Sequence, residues 1–251
     1  MGSTGNDRFN EEAATWDNDP TVNKASEEAF EAIVAVFPQL QQDGEKTIDV
    51  LEIGCGTGLL SLRIAPLVRS LVAVDAASGM IAALESKLRE PSAPKNVTPL
   101  ALLLTDPSDR RLPPQPSSDP DGPRRQFHLI LSHLVLHHIP DLRETLKTMY
   151  GCLLPGGSVA LTDFEDFGPE ARRFHPESKM DGVERHGIHA ESFAQLMREV
   201  GFVDVDVRPK WKVLKDVERF PGEWGFKKPS GEGVTFEAIE FPFLLCQGKK
   251  A

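Results

Sequence analysis

The sequence predicts an α/β fold: a mostly parallel sheet with helices on both faces. Three observations carry this. Apolar runs of strand length alternate with apolar patterns of helical period, the rhythm of βαβ units. The first strand runs into VLEIGCGTG (residues 50–58), whose glycines at 54, 56 and 58 precede a helical pattern. The second strand ends in Asp75, 21 positions after Gly54 (75 − 54). A strand-to-helix turn of this kind lies at the carboxyl edge of a parallel sheet, where α/β folds bind nucleotide-like ligands.

The elements follow in order. Residues 1–20 are polar and read as a flexible segment, with 21–251 as one domain. Ala25, Phe30, Ile33, Val34 and Phe37 share one helix face. Residues 48–53 form the first strand and 59–68 the helix after the glycines. Residues 70–75 are a second buried strand, and Met80, Ile81, Leu84 and Leu88 mark the next helix. The third strand, 97–105, ends at Asp106. Residues 107–126 hold six prolines among serines and charges, and predict a long surface loop. A fourth strand at 127–132 leads into HLVLHHIPD (133–141). The helix over 142–153 stops at LPGG (154–157). Residues 158–163 are the fifth strand. The stretch 164–189 is irregular and rich in arginine and histidine. The helix at 190–200 ends at Gly201. Residues 202–208 and 241–247 read as the last two strands.

Bulk properties exclude several classes. The 251 residues suffice for one large domain with a full core. A net charge of -10, from 28 basic and 38 acidic residues, argues against a nonspecific nucleic-acid or membrane-surface binder. No apolar run approaches the ~20 residues of a membrane span, and the N-terminus lacks a secretory apolar region. Cys55, Cys152 and Cys246 are odd in number and far apart, so neither a disulfide framework nor a Cys-x-x-Cys zinc pair is expected. A cytoplasmic or nuclear location follows.

The glycines narrow the ligand. A dinucleotide fingerprint places its third glycine one residue later than Gly58, where Leu59 stands. A P-loop ends in Gly-Lys-Ser/Thr, which is absent, and no lysine or arginine in the segment faces a pyrophosphate. Asp75 has the spacing of an acid that reaches ribose hydroxyls; alone it is also a fair helix N-cap. A ribose-bearing ligand without phosphates fits best, and S-adenosylmethionine is one.

With these residues in view, the chain resembles a class I S-adenosylmethionine-dependent methyltransferase over about residues 8–248. Residues 50–58 are similar to the family's glycine-rich first motif, with Glu52, Gly54, Cys55, Gly56 and Gly58 at the cofactor. VAVD (72–75), with Ala76 and the SGM ending at Met80, resembles the second, whose acid binds both ribose hydroxyls. Thr105 and Asp106 resemble the third, whose aspartate receives the adenine amino group. Ser132 and His133 end a strand similar to the family's fourth, and residues 136–141 its following loop. AATWD (13–17), with Trp16, resembles a segment that covers the methionine end of the cofactor. The resemblance implies a Rossmann-like seven-stranded sheet whose last strand is antiparallel. It implies methyl transfer to a small organic acceptor, leaving S-adenosylhomocysteine. The 107–126 loop is longer than the family's usual connection.

Other residues carry alternatives. Glu52 lies inside an apolar strand, where an unpaired carboxylate is costly; it bonds nearby backbone or orders the cofactor's amino group. His137 and His138 are adjacent, so they face different ways, and they lack the i, i+4 spacing of a helical metal site; no metal site is expected. They either pack and cap the helix entry, or one lines the substrate pocket as a base; His133 is a further candidate. The clusters at Arg172–His175 and Arg185–His189 lie in the expected substrate-cap region, 164–189, and suit an acidic or phenolic acceptor if they face inward. Trp211 and Trp224 read as core or interface residues rather than substrate stackers; in the heterodimer reading the proline-rich loop and the region of Trp224 are partner surfaces. Rival readings are a protein methyltransferase, a subunit paired with another methyltransferase in a regulatory heterodimer, or a cofactor-binding scaffold without catalysis.

Overall fold

The computed structural model describes residues 6–42, 44–115, 119–225, 228–229 and 234–251. Its sheet holds seven strands: β1 (Asp49–Ile53), β2 (Ser70–Asp75), β3 (Val97–Ala101), β4 (Phe127–His133), β5 (Leu153–Phe164), β6 (Val203–Val217) and β7 (Glu237–Lys249). They lie in the order β3-β2-β1-β4-β5-β7-β6. The first five in that order run parallel, and β7 is antiparallel to β5 and β6, as expected. The order reverses between β1 and β4, which places a crevice at their carboxyl ends.

The helices are α1 (Asn6–Glu12), α2 (Pro20–Val36), α3 (Leu59–Ile64), α4 (Ser78–Leu88), α5 (Leu142–Cys152) and α6 (Ala190–Val200). Side chains of a strand alternate between faces, and the central strands bury both. Leu51, Ile53, Val72, Val74, Ile130, Val159 and Leu161 pack under α5 and α6, through Leu146, Met149, Phe193 and Met197. Val50, Leu71, Ala73, Leu129, Leu131 and Ala160 pack under α2, α3 and α4. Among the described residues, no helix is long and apolar enough to cross a membrane.

Four segments depart from expectation. Residues 6–20 are structured rather than loose: α1 is followed by a 3-10 turn, Trp16–Asn18. Phe9, Ala13 and Trp16, at helical spacing, close over Ala77 and Met80 of the α4 region. Residues 1–5 of that expected segment lie outside the described residues. The third strand ends at Ala101, four residues early; Leu102 still donates its N–H to the Asp75 carbonyl (2.8 Å) before the chain turns away. The 107–126 loop is pinned where it is described. Pro114 and Arg124 form an antiparallel bridge, Leu112 is buried, and the Arg124 guanidinium donates to the carbonyls of Leu112 (3.2 Å) and Pro120 (2.7 Å). Residues 116–118 are outside the description.

The fourth departure matters most for the site. β6 spans 15 residues and β7 13, where seven were expected for each. β5 ends opposite Phe243, so residues 211–217 and 237–242 form a hairpin that overhangs the sheet. A register break between Pro209 and Trp211 absorbs the proline, which has no N–H for the ladder. Trp211, Val213, Lys215 and Val217 share one face of the overhang. Val213 and Val217 pack there with Phe164, Phe174 and Phe241.

Candidate active site

β1 ends in the glycine turn. Gly54 has φ +72°, and a Cβ there would lie 2.3 Å from Val135 Cγ2. Gly56, at φ +53°, has open space where a Cβ would stand. The turn therefore presents bare backbone on its open side, as close approach of a ligand requires. Asp75 completes it. One carboxylate oxygen accepts the Gly56 N–H and the other the Ala77 N–H, both at 2.8 Å. Burial raises the Asp75 pKa, and these two amide bonds oppose the rise. A side-chain-free cradle beside a fixed carboxylate fits a ribose-bearing ligand. The Lys87 ammonium is engaged with Asp17 and the Thr57 carbonyl (2.8 Å), so it is not free to meet a phosphate.

The N-terminal segment straps this turn. Thr57 Oγ1 donates to Asp17 (2.5 Å), and Gly79 N donates to the Asn10 side chain (2.7 Å). Trp16 meets Phe9 edge-on at 5.8 Å, above buried Met80; Ala76 is half-buried between Asp75 and Ala77.

Other expected cofactor residues are buried around the turn. Glu52 is buried and accepts the Ser61 hydroxyl of α3 at 2.5 Å. Its bond is neither to backbone nor to the turn. Burial pushes its pKa up to about 8. Ser132 is also buried and donates to the Ile53 carbonyl (2.8 Å), tying β4 to β1. Cys55 packs as a small buried residue with its thiol pKa raised by burial.

Thr105 and Asp106 are not brought to the turn. The Thr105 carbonyl accepts the Thr148 hydroxyl of α5 (3.0 Å), and Pro107 packs against Gly151, near the end of that helix. Leu153, just after α5, pairs with Phe127 at the amino end of β4, so this corner faces away from the crevice. Asp106 is exposed, and its carboxylate accepts the amide (2.8 Å) and hydroxyl (2.7 Å) of Ser108. The strand's early end redirected the chain, which periodicity did not signal.

Beyond β4 the chain turns sharply. Leu134 is a non-glycine residue at φ 56°, a costly conformation held by its N–H bond to the Thr162 carbonyl (2.9 Å). The 3-10 turn Leu136–His138 follows. It overturns the expectation that His137 and His138 face apart: their ring centroids lie 3.9 Å from each other. The tight turn and the Leu134 kink bring both rings to one side. His137 is buried, with Nδ1 at 2.8 and 3.0 Å from the two Asp163 carboxylate oxygens. His138 Nδ1 donates to the Gly182 carbonyl at 2.7 Å. His175 joins them, its ring 5.0 Å from His137 and 5.6 Å from His138. Burial lowers the His138 pKa to about 3, helped by His137, and pulls His175 well below the usual imidazole range. His133, bonded through Nδ1 to Thr162 Oγ1 (2.8 Å), is lowered to about 4 by burial.

These rings face a cavity of about 460 Å³, walled also by Trp16, Leu134 and Lys215. Lys215 sits 5.0 Å from the Phe174 ring centre, and burial lowers its pKa. The other lysines of the wall are paired, Lys179 with Glu12 and Lys228 with Asp216. The arginine-histidine clusters face inward only through His175. Arg172 pairs with Glu177 and Arg173 with Glu170 and Glu237. Arg185 donates to the carbonyls of Leu136, Ile139 and Pro140, bracing the histidine turn, and His189 caps α6. Trp224, expected on a partner surface, lines the cavity against Phe236, while Trp211 stacks on Phe243 in the core. Sequence reasoning passed over Asp163 and Lys215. An acid closing a buried strand, as Asp75 does, was the available signal for Asp163.

Comparison with known proteins points to a methyltransferase. A family model described as a methyltransferase domain matches residues 24–207. An uncharacterized methyltransferase of Schizosaccharomyces pombe is 24% identical over 164 residues, 64% of this chain and 55% of that protein. A malonyl-[acyl-carrier protein] O-methyltransferase of Priestia megaterium is 28% identical over 159 residues, 62% of this chain and 50% of that protein. The chain thus matches about half the length of these curated relatives. The crystal structure of the YcgJ protein from Bacillus subtilis shares the fold at a TM-score of 0.64 and 17% identity, covering 89% of this chain and 98% of that one.

Proposed function

The chain belongs to the class I S-adenosylmethionine-dependent methyltransferases, and from that premise we propose that it methylates a small organic acceptor through a hydroxyl or carboxyl oxygen. One observation carries this reading. Leu134 and His137 wall the cavity, while Val135, between them in the chain, covers Gly54 of the cofactor turn. Acceptor pocket and cofactor cradle therefore share one short loop.

When bound, S-adenosylmethionine supplies a methyl group activated by its sulfonium. Gly54, Gly56, Gly58 and Asp75 are the residues to hold it, with Trp16 and Met80 at the strap. The chain's own contribution is placement: a well-oriented bound pair gains up to about 7–11 kcal/mol over a bimolecular encounter. Lys215 forms no salt bridge among the described residues, though the charges of Asp19 and Asp216 act on it, and it attracts an acidic acceptor in an otherwise acidic protein. His137, His138 and His175 line the wall against which the acceptor oxygen is placed. The relative from Priestia is named for O-methylation of malonyl-[acyl-carrier protein], a methyl transfer to oxygen. The strap of α1 and the Trp16 turn closes the site against water.

The test is release of S-adenosylhomocysteine with panels of carboxylic acids, phenols and amines, beside calorimetry of cofactor binding. Turnover of acids or phenols is expected, and His138→Ala lowers it at least tenfold with cofactor affinity intact. Turnover of amines alone overturns the acceptor class. Cofactor binding with no turnover on any panel supports a scaffold, and binding of NAD instead overturns the whole reading.

A further inference from the structure

We propose that His137, His138 and His175 form a three-histidine site for one divalent first-row transition ion, zinc foremost, whose open position faces the cavity. One ring nitrogen from each lies within 4.8 Å of the others. Two of the three are already oriented in the manner of metal-ligating histidines. A ligating imidazole donates its second ring N–H to a carboxylate or carbonyl, which fixes the tautomer and aims the other nitrogen at the ion. The His137 Nδ1–H donates to Asp163, and that of His138 to the Gly182 carbonyl. This leaves Nε2 of each as the lone-pair nitrogen.

A second observation points the same way. Nε2 of His137 and Nε2 of His175 are buried with no hydrogen-bond partner among the described residues. Buried polar atoms are nearly always satisfied, and an orphan calls for an explanation such as an ion. Three packed imidazoles with unshared nitrogens gain nothing from one another, whereas an ion satisfies all three at once. Imidazole donors suit zinc and its neighbours rather than calcium or magnesium. Tetrahedral geometry at Zn–N of about 2.0–2.1 Å puts nitrogens about 3.3 Å apart, so from a spacing within 4.8 Å the rings close by up to about 1.5 Å.

Three protein ligands with an open fourth position are the pattern of a catalytic rather than a structural zinc site. The inference rests on the methyltransferase reading for its consequence. An acceptor hydroxyl that ligates the ion loses its proton to solvent more readily. The resulting oxygen nucleophile forms the O–CH₃ bond as the S–CH₃ bond breaks and sulfur keeps the electron pair. No oxidant or reductant enters.

The experiment uses tag-free full-length chain stripped with a chelator. Zinc alone is titrated by calorimetry, and cobalt(II) by visible absorption. The expected result is one ion per chain and a tetrahedral cobalt spectrum. His175→Ala should weaken zinc binding at least a hundredfold, and Asp163→Asn about 10–100-fold, with S-adenosylhomocysteine affinity retained as evidence of folding. Should His175→Ala fail to fold, His138→Gln serves as the second variant. Zinc binding unchanged in the folded variant, or no stoichiometric binding by the wild type, overturns the site. Zinc binding without any methyl transfer supports the metal site and refutes the proposed function, so the two stand or fall separately.

Discussion

At the scale of single residues, burial decides chemistry that residue type alone leaves open. Glu52 is the clearest case. Its pKa of about 8 in the folded chain exceeds the unfolded value of 4.5, so folding takes up a proton. That contribution to stability is complete below pH 4.5 and is lost as pH rises through 8. Between these limits the loss is about 1.4 kcal/mol per pH unit. Glu52→Gln keeps a partner for Ser61 and removes the titration. Its melting temperature, compared with wild type across pH 5 to 9 (a range of about four units), should show a flatter alkaline side. An equal alkaline fall in both proteins refutes a buried neutral Glu52. His133 works in the opposite direction. Its folded pKa of about 4 lies below the unfolded 6.5, so its contribution is complete above pH 6.5 and lost as pH falls through 4. His133→Gln should therefore reduce the acid sensitivity of unfolding, read by urea titration at pH values on either side of 5 (about the middle of that window). Asp75 belongs to the same scale: Asp75→Ala removes the acceptor of the Gly56 and Ala77 amides. It should weaken S-adenosylhomocysteine binding about 10–100-fold by calorimetry, at roughly 1.4 kcal/mol per tenfold.

At the scale of elements, what closes the site comes from segments with weak local signals. Asp17 fastens the strap made by α1 and the Trp16 turn to the glycine turn through Thr57 and to α4 through Lys87, beside the Asn10–Gly79 bond. Asp17→Ala should speed dissociation of S-adenosylhomocysteine in stopped flow at a cost to global stability of about 1–3 kcal/mol, because it leaves the buried Thr57 hydroxyl without its acceptor. An unchanged off-rate would mean the strap plays no part in retention. The overhang of β6 and β7 is the other such element. It carries Lys215 to the cavity on the face that also buries Val213 and Val217. Pro209 concealed it, because proline ordinarily argues against a continuous strand. The 3-10 turn at Leu136–His138 was equally hidden. No periodicity announces a leucine at positive φ, yet that kink turns two adjacent histidines to one side.

At the scale of the whole molecule, ligand binding reports on the fold as a unit. S-adenosylhomocysteine at a hundred times its dissociation constant should stabilise the chain by about 2.7 kcal/mol, a rise of roughly 2–4 °C in melting temperature per kcal/mol for a chain of this size. NAD should leave the melting temperature unmoved; a rise with NAD and none with S-adenosylhomocysteine would refute the cofactor. The sequence by itself determined the sheet, its parallel core and its antiparallel last strand, together with the glycine turn and Asp75. These are legible because strand alternation, helical period and glycine spacing are local properties of the chain, and the cradle is built from neighbours in sequence or one strand away. The acceptor side is different. Only the tertiary structure joined His137 and His138 to His175, Asp163 and Lys215, since those residues come from two separate connections, the end of β5 and an overhanging hairpin. It also removed Asp106 from the cofactor, because β3 ends at Ala101 and the chain then crosses to the far end of α5. Contacts of that kind are set by where strands stop and how loops pack over them, and no short-range pattern in the sequence encodes either.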